Sequence, residues 1–396
     1  MSLFDRPGPR WFTIPAHRGF LADLARGLLD ELAGLGPEEL TDAVILVPSR
    51  RGARSLAEAF LEASRPRPVL LPQIRALGDL DEGEPPFEPG DLALDLPPAV
   101  GGFRRRFELA RLIGEHQDMF DRSLDASAAL ELADALGGFL DSVELEEAPA
   151  RDRIDRLVEG DLARHWQVSA RFLKIALEAW PARLEEMGRL DPAARRVKLL
   201  RALAEKWRRT PPGGIMIAAG STGTAPANAD LLAVIAGLPK GAVVLPGLDL
   251  ELADSAWEEV GEQHPQGALK RLIARAGIKR DDVVTWPRSD QAGEGAGRWR
   301  RRIVNEALRP PKATADWVVQ IGNLREEGRA LGVDPIAEGL AGLSVVAARS
   351  EEEAAACAAL LMREALETPG KTCALITPDQ ALARRVSARL ARWGLE

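Results

Sequence analysis

The chain has 396 residues, of which 46% are hydrophobic and 28% are charged, and this length predicts a globular protein with more than one domain. Acidic residues outnumber basic residues by 60 to 52, and the net charge of −8 excludes a polycation that coats DNA or membranes with its whole surface. Two cysteines, Cys357 and Cys373, cannot form a disulfide framework or a four-cysteine metal site, so we expect a reducing, cytoplasmic compartment.

Alternating strand and helix patterns occupy the first 77 residues. An apolar run at 11–14 predicts a strand, and apolar residues three and four apart over 20–32 predict a helix with one apolar face. A continuous apolar run at 43–48 predicts a buried strand, followed by a helix at 53–63 and a third strand at 69–77. Because crossover helices join parallel strands, this alternation indicates a parallel sheet.

The next block of the chain is largely helical. The acidic, proline-rich segment 78–98 predicts an exposed linker. The helices predicted after it span 102–120, 126–141, 150–180, 181–188 and 192–209. In the first of them we expect Phe103, Phe107 and Leu109 to face a core, with the arginines at 104–106 spread over solvent; a nucleic-acid contact is the alternative.

The strand and helix pattern returns after the Pro-Pro-Gly-Gly at 211–214. The predicted elements are strands at 214–219, 242–246, 343–348 and 373–377 and helices at 227–236, 351–366 and 380–393. The last two strand and helix pairs would expose a sheet edge and bury little core, so we expect them to begin a domain of a longer protein. No apolar run approaches the roughly 18–20 residues that cross a bilayer, and we expect no membrane contact.

A glycine-containing loop at 220–225 follows a predicted strand and precedes a predicted helix. Gly220, Gly223 and Thr224 are candidates for binding a nucleotide or another phosphate, because backbone N–H groups and a helix N-terminus hold anions in such loops. A capping turn is the alternative. A P-loop also needs a lysine, and none occurs between Lys206 and Lys240. The Gly-Lys-Thr at 370–372 precedes a predicted strand instead of opening a helix, so ATP binding and ATPase activity are not expected.

Motifs for other catalytic chemistry are absent from the sequence. No lysine has an acidic residue two positions before it, as many metal-dependent nucleases do, and no G-x-S-x-G segment supports a serine nucleophile. The four histidines are far apart and none has metal-ligand spacing. We therefore predict no catalytic residue and no metal site.

Two basic clusters are candidates for binding DNA. Ser49, Arg50, Arg51 and Arg54 flank a predicted helix N-terminus, where positive side chains are unfavourable unless an anion compensates them. The segment at 298–302 includes Arg298, Trp299 and Arg300, and an indole among cations suits single-stranded nucleic acid. Solvated arginines in a chain with few lysines, and arginines that extend along an apolar helix, are the alternatives.

Six segments in the same order resemble one family. They are ILVPSRRGARSLAEAF (45–60), LLPQIRALGDLDE (70–82), LPPAVGGFRRRFELARLI (96–113), AAGSTGTAPANADLLAVIAGLPKGAVVLPGLD (218–249), HPQGALKRLIARAGI (264–278) and ALITPDQALARRVSARLARWGLE (374–396). Together they look like the N-terminal part of the alphaproteobacterial AddB family. AddB is a subunit of the bacterial AddAB helicase–nuclease, which repairs DNA double-strand breaks.

The resemblance implies an α/β fold of the superfamily 1 helicase type. It places a discontinuous RecA-like domain at 1–80 and 211–340, a helical insertion at 81–210 and the truncated start of a second RecA-like domain at 341–396. The family's nuclease centre and its four-cysteine iron–sulfur cluster are implied only for a C-terminal part beyond this chain, so no cofactor is expected here.

By position, the segment Ser49–Arg54 resembles a helicase motif that touches the backbone of the single strand. Ser221 and Thr222 lie where helicases place a motif that couples strand and nucleotide, although the residues depart from that motif. The resemblance thus implies an inactive helicase module that binds and guides single-stranded DNA or duplex ends beside the AddA subunit. An active nucleotide-binding enzyme that uses the loop at 220–224, and a scaffold for AddA, are the alternatives.

Overall fold

The computed structural model describes residues 3–32, 37–77, 96–116, 124–148, 173, 175–287 and 296–395. The chain divides into two compact units, Met1–Gly339 and Leu340–Glu396. The finer division of the first unit into a sheet domain and a helical insertion stays a prediction.

A six-stranded parallel sheet forms the centre of the first unit. Its strands are β1 (Trp11–Ile14), β2 (Val44–Val47), β3 (Gln73–Ala76), β4 (Met216–Ala219), β5 (Gly241–Pro246) and β6 (Val284–Thr285). They are arranged in the order β3-β2-β4-β5-β1-β6, and every pairing is parallel. The predicted α/β class with a parallel sheet is therefore confirmed. The sequence analysis did not predict β6, because two residues are too few to show a pattern.

Thirteen α-helices accompany this sheet in the described part of the chain up to Leu340. They are α1 (Phe20–Leu32), α2 (Pro37–Asp42), α3 (Arg50–Ser64), α4 (Gly102–Glu115), α5 (Ala126–Leu145), α6 (Trp180–Glu186), α7 (Pro192–Arg209), α8 (Pro226–Gly237), α9 (Asp254–Glu258), α10 (Gly267–Arg275), α11 (Ala296–Ala307), α12 (Trp317–Ala330) and α13 (Pro335–Leu340). Ser49, Asp125 and Asp191 begin three of them by accepting hydrogen bonds from first-turn amides.

Helices cover both faces of the sheet. Side chains of the central strands alternate between the faces, because successive Cβ atoms of a strand point to opposite sides. Leu46 and Val243 lie in the core on one face, which α7, α8 and α10 cover. Ile45 and Val244 lie in the core on the other face, which α1 and α3 cover. The central strands are therefore buried on both sides, which explains their continuous apolar sequences.

A smaller core joins α4, α5 and α6, with Trp180 at its centre. The helix α7 belongs to the predicted insertion at 81–210, yet its apolar face also packs in the core of the sheet through Leu200, Leu203 and Trp207. The insertion therefore shares its last helix with the sheet.

The predicted burial of Phe103 and Phe107 is wrong. Leu109 is buried as expected, but Phe103 is 82% exposed and Phe107 is 60% exposed. The physical reason is Arg105, which occupies the inward face of α4. Its guanidinium donates hydrogen bonds to the carboxylates of Asp191 at 2.9 Å and Asp141 at 3.2 Å, and to the backbone carbonyl of Gly137 at 3.2 Å.

The second unit contains α14 (Glu351–Leu366) and α15 (Gln380–Arg392), which pack through Ala355, Ala359 and Val386. The strands predicted at 343–348 and 373–377 are not formed, since neither segment pairs with a strand among the described residues of this unit. Val345 is 88% exposed and Ile376 is 95% exposed. A short apolar run forms a strand only where a neighbouring strand supplies backbone partners.

Candidate nucleic-acid interface at the carboxyl edge of the sheet

The carboxyl ends of all six strands meet at one edge of the sheet, because every strand runs in the same direction. The helices that follow β1 and β2 cover one face, whereas those that follow β4 and β5 cover the other. The face on which the following helix packs therefore changes between the neighbouring strands β2 and β4, and again between the neighbouring strands β5 and β1. In open parallel sheets, ligands bind outside the carboxyl ends of the strands at such positions.

The N-terminus of α3 lies at the first of these positions. The Oγ atom of Ser49 accepts a hydrogen bond from the N–H of Gly52 at 3.1 Å, so this candidate residue caps the helix. Arg50, Arg51 and Arg54 are all exposed. The first turn of α3 contains no acidic residue. Within the described ranges, the guanidinium groups of Arg51 and Arg54 have no ion-pair or hydrogen-bond partner.

These two cations therefore lie uncompensated where the helix dipole is positive. Cations at a helix N-terminus are unfavourable by a few tenths of a kcal/mol or more, and a bound anion reverses the sign of that effect. The electrostatics of this helix end favour an anionic ligand.

The loop after β4 lies against the loop after β2. Gly220 has a left-handed φ of 78°, and a Cβ atom there would lie 3.4 Å from the ring of Phe20 and 3.6 Å from Pro48. Pro48 directly precedes Ser49. The structure thus brings together the predicted candidates of the 220–224 loop and those of α3.

Gly223 is constrained by its backbone conformation and by packing. Its φ is 56°, and a Cβ atom there would approach Leu272 Cδ1 to 2.6 Å, so the glycine is required by packing against α10. Its N–H donates to Ser221 Oγ at 3.2 Å, and the N–H of Gly220 donates to the carbonyl of Val244 at 3.0 Å. Both amides are therefore already used within the protein, and the phosphate or nucleotide contact of Gly220, Gly223 and Thr224 stays a prediction.

Three polar residues of this loop are accessible to a ligand. Thr224 is exposed, and Ser221 and Thr222 are half-buried. The helix α8 begins at Pro226 without a side-chain cap. Because proline has no N–H, this helix end offers fewer donors to a phosphate than a Gly-Lys-Thr loop does.

The loop after β1 occupies the position of a nucleotide-binding loop in folds of this class, and it is a tight turn. The N–H of Arg18 donates to the carbonyl of Pro15 at 2.9 Å, and the guanidinium of Arg18 pairs with Asp23 at 2.8 Å. His17 packs against Gly297 of α11. Burial, with the nearby guanidinium of Arg301, lowers the pKa of His17 below its usual value, so the imidazole is neutral at pH 7.

The loop after β5 holds an acidic residue that the sequence analysis missed. Asp249 is buried and accepts hydrogen bonds from the N–H groups of Glu251 at 2.7 Å and Leu252 at 2.8 Å. Arg301 lies 3.6 Å from Asp249 and 2.7 Å from Glu251. A carboxylate three residues after a buried strand, at the edge where ligands bind, was the available signal. Its hydrogen bonds order the loop beside β1.

The segment at 298–302 is not a platform for a base. Trp299 is only 3% exposed, so its indole cannot stack on a ligand. Arg298 pairs with Glu327 at 2.7 Å, and Arg300 donates to the carbonyl of Gly339 at 2.9 Å. A DNA contact of Arg298, Trp299 and Arg300 stays a prediction, and in this packing it could use only the arginines. Tertiary contacts bury the indole of α11 and pair Arg298, Arg301 and Arg302 with carboxylates.

Across the described residues there is no group of three or more His, Cys, Asp or Glu side chains that could hold a metal ion. Among the described helices, none has both the length and the apolar character needed to span a bilayer. Comparison with known proteins gives no matching family model and no matching curated protein.

Proposed function

We propose that this chain is a helicase-like module without its own catalytic centre, which binds and guides single-stranded DNA at the carboxyl edge of its sheet. The observation that carries the proposal is the pair of exposed, uncompensated guanidinium groups of Arg51 and Arg54 at the N-terminus of α3. Phosphates of a nucleic-acid backbone supply the anion that this helix end favours.

The neighbouring loop after β4 favours binding of a DNA strand over binding of a mononucleotide. Gly220 lies against Pro48, and Ser221 and Thr222 follow it, so their hydroxyl groups extend the basic end of α3 into a longer contact surface. The N-terminus of α3 and the loop after β4 both lie at the carboxyl edge of the sheet, where they could hold successive phosphates of one DNA strand. Phosphate contacts of this kind fix the path of a strand without reading its sequence.

The turn after β1 argues against ATP chemistry. A Walker A loop holds phosphates with a lysine and several free amides. Here the turn at 15–19 contains no lysine, and its Arg18 is paired with Asp23. The alternative of a nucleotide enzyme based on the 220–224 loop loses its main support, because the amides of Gly220 and Gly223 are already bonded.

The sheet order and the crossover faces support a RecA-like architecture for the first unit. With the resemblance of six ordered segments to AddB, we place the module in a helicase–nuclease that processes DNA double-strand ends, with AddA as the partner. The residues from 341 onward belong to a second RecA-like domain in this proposal, and the protein acts in the cytoplasm.

The test measures fluorescence anisotropy of a labelled oligothymidylate with the wild-type chain and with R51A/R54A. We expect each lost arginine to weaken binding on the order of tenfold at low salt. The slope of log affinity against log salt should fall by about 1.4, since two phosphate contacts to a single strand are removed. The matched control is R208A/R209A, which removes two exposed arginines that pair with Glu205 on α7.

Three outcomes separate the hypotheses. Loss of binding in R51A/R54A with no change in R208A/R209A supports the proposed site. Equal loss in both variants indicates a nonspecific charge effect and contradicts the site. A chain that binds no oligonucleotide but forms a stable complex with AddA, unaffected by R51A/R54A, supports the scaffold alternative instead.

A further inference from the structure

The helix α4 exposes two aromatic side chains on one face. Phe103 is 82% exposed and Phe107 is 60% exposed, although a phenyl ring in water costs free energy that burial would recover. We call this surface, with Arg104 and Arg111, the Phe103 face. It belongs to the helical part of the first unit and not to the loops at the carboxyl edge of the sheet.

The helix geometry sets the rings and the cations side by side. At about 100° per residue, Phe107 is rotated by about 40° from Phe103, and the two Cβ atoms are about 5–6 Å apart. Arg111 is rotated by about 80° and Arg104 by about 100° in the same direction. The two guanidinium groups therefore flank the same side of a short aromatic stripe.

The charge on this surface is not balanced. Within the residues that the structure describes, the guanidinium of Arg104 has no partner. Of the two carboxylates of α4, Glu108 lies 3.6 Å from Arg183, and Glu115 pairs with Arg111 at 2.9 Å. The positive charge of this face that no described carboxylate balances is therefore that of Arg104. The Phe103 face is thus aromatic and cationic, and its complement is an anion that carries planar apolar groups.

Single-stranded nucleic acid has this combination. Proteins that bind single strands stack bases on aromatic rings and hold the backbone with cations, and every base has a face that can stack. A protein partner would more often be met by a larger apolar surface with its charges at the rim. Charge complementarity therefore favours a nucleic-acid strand as the occupant.

We propose that Phe103 and Phe107 are a stacking platform for two bases of single-stranded DNA, with Arg104 contacting the adjoining phosphate. This inference rests on the proposed function and extends it, because it adds base contacts in the helical part of the first unit to phosphate contacts at the edge of the sheet. The stacking is independent of sequence, since it uses the faces of the bases.

The experiment compares aromatic with aliphatic side chains of similar hydrophobicity at positions 103 and 107. Anisotropy of labelled oligothymidylate is measured with the full chain carrying F103A/F107A, F103L/F107L or F103W/F107W. We expect each phenylalanine replaced by alanine to weaken binding about 5- to 100-fold. Leucine should behave like alanine, and tryptophan should restore binding. The control V318A/V319A removes two side chains of α12 with 81% and 60% exposure and should have no effect.

A direct readout is photocrosslinking of an oligonucleotide that contains 5-bromouracil, followed by mass spectrometry of the peptides. Crosslinks to the peptide around Phe103, lost in F103L/F107L, support the platform. Wild-type affinity in F103L/F107L, while R51A/R54A still weakens binding, overturns the platform and leaves the proposed function standing. No binding by the wild type overturns both. Normal DNA binding with loss of a protein complex in F103A/F107A identifies a protein-docking surface and contradicts the inference.

Discussion

Arg18 and Asp23 form a two-pronged ion pair across the first turn of α1, with Nε to Oδ2 at 2.8 Å and the second guanidinium nitrogen to Oδ1 at 3.1 Å. Asp23 is 3% exposed, and its backbone carbonyl accepts a hydrogen bond from the indole of Trp286. The pair therefore fastens the turn after β1 to α1, at the place where a nucleotide-binding loop would need free donors.

The first prediction concerns this ion pair. R18A should lower the free energy of unfolding by about 2–4 kcal/mol, because it leaves the charge of Asp23 buried with a weaker set of partners. Urea denaturation at pH 7 measures the change. R26A is the control, since Arg26 is half exposed and lies 3.7 Å from Asp23, and it should change stability by about 0.5 kcal/mol or less. Equal effects of the two variants would contradict the conclusion that the ion pair of Arg18 with Asp23 stabilises the turn after β1.

A second prediction separates packing from phosphate binding at Gly223. G223A should destabilise the protein by about 2 kcal/mol, because the left-handed backbone disfavours alanine and the new methyl group meets Leu272. The control is G114A in α4, where an added Cβ atom would meet no side chain or distant backbone atom within 4 Å. It should raise the free energy of unfolding by about 0.5 kcal/mol. Thermal denaturation with and without Mg-ATP completes the test. A large ATP-dependent stabilisation of the wild type would support the alternative of a nucleotide-binding enzyme instead.

A third prediction follows from the lowered pKa of His17. The folded state binds a proton less readily than the unfolded state, whose histidine titrates near 6.5, so stability is complete above that pH and decreases as the pH falls below it. Unfolding free energies of the wild type and H17Q are compared between pH 7.5 and pH 5.5. We expect a smaller decrease in H17Q. Identical pH profiles would show that the histidine is not held neutral by the fold.

A fourth prediction concerns Asp230, which joins three helices. It lies on α8 and pairs with Arg201 of α7 and with Arg275 of α10, the latter at 2.9 Å. Burial raises its pKa, but the hydrogen bonds from Arg275 and Arg201 outweigh burial, so the net pKa lies below the ordinary 3.8. D230N should cost about 1 kcal/mol at pH 7, measured by urea unfolding.

The pH dependence checks the cause of that cost. Because the pKa of Asp230 is depressed, its contribution is complete above pH 3.8 and is lost as the pH falls through the folded pKa, so the difference between D230N and the wild type should shrink below pH 3.8. E262Q is the control, since Glu262 pairs with Arg271 at an exposed position. A constant difference down to low pH would indicate that the amide disturbs packing instead of charge.

Sequence periodicity was sufficient for the elements that the sheet buries on both faces. The runs at 43–48 and 242–246 predict β2 and β5, because a strand covered on both sides must be apolar at every position. Apolar character was insufficient for the segments at 343–348 and 373–377, which are also largely apolar. Strand formation there depends on a neighbouring strand, and local sequence cannot show whether one is present.

The sequence by itself determined the α/β class, the parallel sheet and the position of the arginines at the start of α3, since all three follow from local periodicity and helix-end chemistry. Only the tertiary structure decided which arginines remain free of partners. Arg298 is neutralised by Glu327 and Trp299 is buried, whereas Arg51 and Arg54 stay exposed and Phe103 is turned outward by the inward ion pairs of Arg105. Pairing and burial join residues far apart in the chain, so they depend on how the helices pack on the sheet.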